Sequence, residues 1–145
     1  MPESPFLSEL HPKSGRWAIL EDDGRSAWLY LTIPGTQEIC ADCWIYNRVR
    51  APAPAQIEEF RGGPPPADYS VASEQALVEL PDEARMRFLW AEDGNSVAFI
   101  LEDLALGFIA EGTKRGYSRH LLQTCPWGQP WDQREFQKVF GLQTG

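Results

Sequence analysis

The sequence predicts a mainly β domain: a curved antiparallel meander sheet of about six strands, folded into a small sandwich or open barrel, with one C-terminal helix. Three observations carry that expectation. Short apolar runs of strand length alternate with acidic-glycine or Pro-Gly turns. Aromatic residues are abundant, with six Trp, seven Phe and four Tyr, and aromatic side chains favour strands and bury large areas. Convincing helical spacing appears only near the C-terminus.

In chain order, residues 1–15 are rich in Pro, Ser and Gly without periodicity and read as a loosely held arm. Trp17-Ala18-Ile19-Leu20 opens the first strand. Glu21-Asp22-Asp23-Gly24 supplies a turn that tolerates positive φ, as a tight hairpin demands. Ala27 to Ile33 is the second strand, stopped by Pro34-Gly35, and Ile39 to Val49 the third. Residues 51–72 are a Pro-rich loop, after which Ser73 caps a short helix running to about Leu77. Met86 to Ala91 and Ser96 to Glu102 repeat the hairpin pattern around Glu92-Asp93-Gly94-Asn95. Gly107 to Glu111 and Gly116 to Leu122 form two further arms, broken around Gly112-Thr113-Lys114. Arg16–Leu31 and Arg87–Leu101 share Arg, Glu, Asp, Gly, Ser and Leu in order. Because these matches centre on the turns, shared turn chemistry explains them more simply than a duplication. Finally, Asp132 three residues before Glu135, Phe136, Val139 and Phe140 on one face, and Gly141 as terminator predict a helix over 133–140.

The chain of 145 residues is expected to form a single domain, 1–145, long enough to build a core without disulfides or a metal. No stretch is apolar over the length of a membrane span, and the first residues show no secretory signal. Three Cys give no disulfide framework, so a reducing, cytoplasmic setting is the simplest reading. Thirteen basic against 21 acidic residues leave a formal charge of −8. That charge repels phosphate backbones, which argues against nucleic acid and favours a basic protein partner.

Glu21-Asp22-Asp23-Gly24, Trp44-Ile45-Tyr46-Asn47-Arg48-Val49, Trp90-Ala91-Glu92-Asp93-Gly94 and Lys114-Arg115-Gly116-Tyr117-Ser118-Arg119 together resemble a family of small bacterial proteins catalogued as a domain of unknown function. The resemblance covers roughly residues 16–50 and 83–122, leaving out the Pro-rich insertion and the C-terminal helix. It implies a compact bacterial β-rich domain and supplies no activity. Some such families protect cells against toxins of neighbouring bacteria.

Candidate sites follow from the strand pattern. Alternation puts Trp28 and Tyr30 on one face of their strand, and Trp44 and Tyr46 on one face of the next. Antiparallel pairing would merge them into an aromatic patch, with Asp22 and Asp23 at its acidic rim. Such patches are enriched at recognition surfaces; the structural alternative is that the C-terminal helix, Trp127 or Trp131 covers them. Arg115, Tyr117, Arg119 and His120 form the alternative, an anion site, if internal carboxylates do not neutralise it. Cys40-Ala41-Asp42-Cys43 has metal-ligand spacing, but on a strand the two thiols point to opposite faces, so no metal and no cofactor are expected. The acidic turns lack the ligand cadence of a calcium loop. With only His11 and His120 available, no catalytic constellation can be assigned.

Three readings therefore stand. The first is a non-enzymatic protein-interaction module, one form of which is an immunity-like inhibitor of a basic partner, acting as monomer or homodimer. The second is a small-molecule or metal-binding domain, enzymatic or not, using Arg115, Arg119 and His120. The third is a homodimer that uses the aromatic face as its own interface.

Overall fold

The computed structural model describes residues 6–48, 77–78, 81–125 and 128–141. The Pro-rich loop, most of the short helix expected after Ser73, and Trp127 lie outside them; Leu77 forms a single bridge to Asn47.

Two sheets form where one was expected. The first holds β1 (Phe6–Leu10), β2 (Trp17–Asp22), β3 (Ser26–Thr32) and β4 (Ile39–Asn47), in that order and all antiparallel. The second holds β5 (Met86–Trp90), β6 (Val97–Leu101), β7 (Leu104–Ile109), β8 (Tyr117–Ser118) and β9 (Gln129–Pro130), antiparallel except for the β8–β9 pair. The described residues form a sandwich with one α-helix, α1 (Gln133–Phe140), and neither a single six-stranded sheet nor a closed barrel.

The physical reason lies in β6 and β7, which are apolar on both faces. Val97, Phe99, Leu106 and Ile109 join Ala18, Leu20, Leu29, Leu31, Cys43 and Ile45 in a core shared between the sheets. Ala98, Ile100, Ala105 and Phe108 face the other way, onto Phe136 and Phe140 of α1. A strand buried on both sides needs a layer on each, and here the first sheet supplies one and α1 the other.

The helix matches its expected span, and its ends explain why. Asp132 caps it by accepting a hydrogen bond from the Glu135 amide at 3.0 Å, and Gly141 ends it in the left-handed region. Its anchor is Phe136, which packs with Phe140 and Trp131 around Phe108, while Tyr117 stacks flat on Phe108 at 4.7 Å.

The arm is corrected in part. Residues 6–10 are not loosely held; they form edge strand β1, paired with β2 along its length, and Leu7 packs against the shared core.

One side of the sandwich is sealed. The Asp42 amide donates to Lys114 O, and the Gly116 amide donates to Asp42 O, so β4 continues its ladder into the chain that enters β8. Ser118 Oγ and Cys43 Sγ add bonds to Trp44 O and Tyr117 O. The backbones come so close that a Cβ on Gly116 would stand 2.5 Å from Phe108 O and 2.7 Å from Cys43 Cβ.

Candidate functional site

Alternation gives the first sheet an inner and an outer face. In β2, Ala18 and Leu20 are buried in the core, whereas Trp17 and Ile19 are half-buried and Glu21 is exposed. Register then fixes what lies beside them. Ile19 stands opposite Tyr30, and Tyr30 opposite Asp42. Glu21 stands between Phe6 and Trp28, and Trp28 pairs with Trp44.

The outer face is graded. At the β4 side Trp44 is fully buried and Trp28 is 7% exposed, roofed by Leu121 with Cys125 beside it. Neither α1 nor Trp131 provides this cover; the chain after β8 does. Tyr30 borders the cluster and is half-buried. Toward β1, Ile19, Trp17 and Phe6 belong to none of the core clusters among the described residues.

Tyr46 does not join this face. The β3–β4 register slips between Ala27 and Trp28, so Ala27 faces Tyr46 while Trp28 faces Trp44. Ile45 is the extra residue of a bulge, and a bulge turns the following side chain to the opposite face. Tyr46 is therefore fully buried in the shared core. Its hydroxyl donates to Asp22 Oδ2 at 2.7 Å, and Arg48 Nη1 donates to the same oxygen at 2.9 Å. Asp22 Oδ1 accepts from the Gly24 amide. Burial, followed by the hydrogen bond to Asp22 and its charge, pushes the Tyr46 hydroxyl well up. Asp22 is thus a buried structural carboxylate that ties the β2–β3 turn to the end of β4. Asp23 is exposed, and its carboxylate folds the turn by accepting from the Arg25 and Ser26 amides.

Three carboxylates border the open part of the outer face: Glu21, Asp23, which pairs with Arg25 at 3.7 Å, and Asp42, which pairs with Arg115 at 3.2 Å. The Tyr30 hydroxyl is pushed up to about 12, first by burial and then by Glu21, Asp42 and Asp23. Asp42 is itself raised by burial, against the opposing effect of Arg115. The sequence reading missed Trp17, Ile19, Glu21 and Asp42 as members of this surface. The signal was present, because Trp17, Ile19 and Glu21 alternate with buried residues on the strand that precedes Trp28 and Tyr30.

The alternative basic site does not assemble. Arg115 pairs with Asp42 at 3.2 Å, on the first sheet. Arg119 donates through Nε to Ala105 O, and its guanidinium lies 4.1 Å above the Trp131 ring. Tyr117 is stacked on Phe108 and lines a shallow groove with Trp131 and Asp132, which Arg115, Arg119 and His120 do not line. His120 is buried, and burial and then Arg119 hold its imidazole below the usual range. Strand β4 separates the cysteines: Cys40 is exposed and donates to Leu31 O, while Cys43 is buried, its thiol pushed up to about 12 by burial. No cluster of three or more His, Cys, Asp or Glu with metal-holding geometry occurs among the described residues. None of their helices is long and apolar enough to cross a membrane.

No family model, no curated protein and no solved structure matches this chain.

Proposed function

We propose that this chain is a non-enzymatic protein-interaction module that presents the outer face of its first sheet to a basic protein. The observation that carries the reading is the pairing of apolar area with negative field at one place. Trp17, Ile19 and Tyr30 are half-buried on a sheet face, and Glu21, Asp23 and Asp42 all act on the Tyr30 hydroxyl. Aromatic groups supply binding energy once desolvated, and a charged rim accelerates encounter with an oppositely charged partner. The formal charge of −8 extends that field over the molecule. Trp28 and Trp44 lie on the same face under Leu121, beside the open part, and do not contact the partner. The resemblance to small bacterial proteins supports an immunity-like form of this activity, in which the partner is a basic toxin. The cytoplasmic location expected from the cysteines is compatible with that role.

The test is capture from a lysate of the source organism on immobilised protein. Wild type should retain a basic protein that salt releases. The double variant Ile19→Ser/Glu21→Gln should lose it while keeping its unfolding midpoint, since both residues lie outside the core clusters. Equal retention by wild type and variant would place the interface elsewhere.

A further inference from the structure

Among the described residues, the first sheet has one sealed edge and one open edge. At β4 the ladder continues into residues 114–116, and the Val78 amide donates to Asn47 O. At β1, no described strand pairs with the outer side. The hydrogen-bonding phase of β1 is fixed by the His11 amide, which donates to Arg16 O at 2.9 Å. His11 and Arg16 continue the register of Leu10 with Trp17. Bonded and unbonded pairs alternate along an antiparallel ladder. Leu7 and Glu9 therefore bond to β2, and the amides and carbonyls of Phe6, Ser8 and Leu10 point to the free edge. Phe6 and Leu10 are also 56% and 46% exposed, more than any other large apolar residues of the first sheet except Ile39. An unpaired edge that carries exposed apolar side chains at both ends is a template for another strand.

We infer that the strand it takes is β1 of a second copy, running antiparallel about a two-fold axis at Ser8 and joining two four-stranded sheets into one. The five residues Phe6-Leu7-Ser8-Glu9-Leu10 are self-complementary in that register. Phe6 lies opposite Leu10 of the second copy, and Ser8 opposite Ser8. Leu7 lies opposite Glu9, so the one charged position of the strand never meets itself. All three outward-pointing residues fall at bonded pairs of the new ladder, and both exposed apolar side chains gain a cross-strand partner on the outer face. The inference goes beyond the partner reading and opposes it in one respect. Two copies of an anionic chain repel, so salt strengthens this contact, whereas salt weakens a contact with a basic protein.

Sedimentation equilibrium of the full chain at low and high salt reads the association. A dimer that dissociates on dilution and tightens with salt is expected. Ser8→Pro should abolish it with the circular dichroism and unfolding midpoint unchanged, because the Ser8 amide does not serve the β1–β2 ladder. In a Cys40→Ser/Cys125→Ser background, oxidation should crosslink Ser8→Cys into a dimer and leave Glu9→Cys monomeric, and this decides the matter if the proline disturbs the fold. A wild type that stays monomeric at all concentrations overturns the inference and leaves the edge to a foreign strand. An equally dimeric Ser8→Pro, or crosslinking through Glu9→Cys as readily as through Ser8→Cys, overturns the register and with it the inference.

Discussion

Replacing Tyr46 by Phe removes one oxygen atom and leaves the ring where it was. That oxygen donates to Asp22 Oδ2 at 2.7 Å, and both side chains are shielded from water. The carboxylate then keeps two donors, Arg48 Nη1 and the Gly24 amide, at 2.9 Å and 2.8 Å. A hydrogen bond to a charged group contributes about 1.5–3 kcal/mol, and the void left by one hydroxyl adds little, so Tyr46→Phe should destabilise by about 2 kcal/mol. Asp22→Ala is harsher. It strands Arg48, whose side chain is 13% exposed and whose Nε already lacks an acceptor among the described residues. Breaking a buried ion pair from one side costs about 3–5 kcal/mol, a large share of the stability of a domain of this size. Urea denaturation measures both. With a slope of about 1–3 kcal/mol/M, Tyr46→Phe should lower the midpoint by roughly 1 M. If Tyr46→Phe unfolds within about 0.5 kcal/mol of wild type, the hydroxyl is not paired to a buried carboxylate and the account of this end of β4 is wrong.

Two further outcomes are expected. The β6–β7 turn places Glu102 and Asp103 at φ of 52° and 67°, in the left-handed region where side chains cost energy, so Glu102→Asn/Asp103→Gly should raise the unfolding free energy by about 1 kcal/mol or more in the same assay. His120 is held below its ordinary value of 6.5. The unfolded chain therefore takes up this proton first, and the associated stability, complete above pH 6.5, is lost as pH falls toward the folded-state value. Following the imidazole by proton NMR should give a midpoint below 6.5, and a midpoint at or above it would refute burial of the neutral ring.

The helix was legible because its signals are local: a cap, two phenylalanines at helical spacing and a terminating glycine, all within ten residues. The β2–β3 and β5–β6 hairpins were legible for the same reason, from Asp-Gly turns between apolar runs. What escaped depended on partners distant in sequence. Phe6–Leu10 sits among prolines and polar residues, and only the register with β2 makes it a strand. Val97-Ala98-Phe99-Ile100 is a continuous apolar run, the mark of a strand covered on both faces, and that run was the available sign of two layers. The β6–β7 turn was invisible because it reaches positive φ without glycine. Tyr46 was placed on the wrong face because strict alternation was carried through a bulge that nothing in Trp44-Ile45-Tyr46 announces. Of the residues expected to form one surface, Tyr30 is half-buried on the outer face and Asp23 is exposed in the β2–β3 turn, while Trp28 and Trp44 lie under Leu121.

The seam between β4 and the start of β8 bears on how the chain finds its structure. The meanders β1–β4 and β5–β7 each close over short loops, so their contacts can form quickly and independently. The Arg115–Asp42 pair and the Ser118–Trp44 bond join residues 73 and 74 positions apart. Loop-closure entropy must be met before those contacts return anything, and non-local pairings of this kind govern the slow step in β-rich domains. The two halves should therefore acquire their hairpins early and lock together late. During that interval the inner faces bearing Leu29, Ile45, Phe99 and Ile109 stand open to other chains, and the formal charge of −8 keeps such half-formed molecules apart.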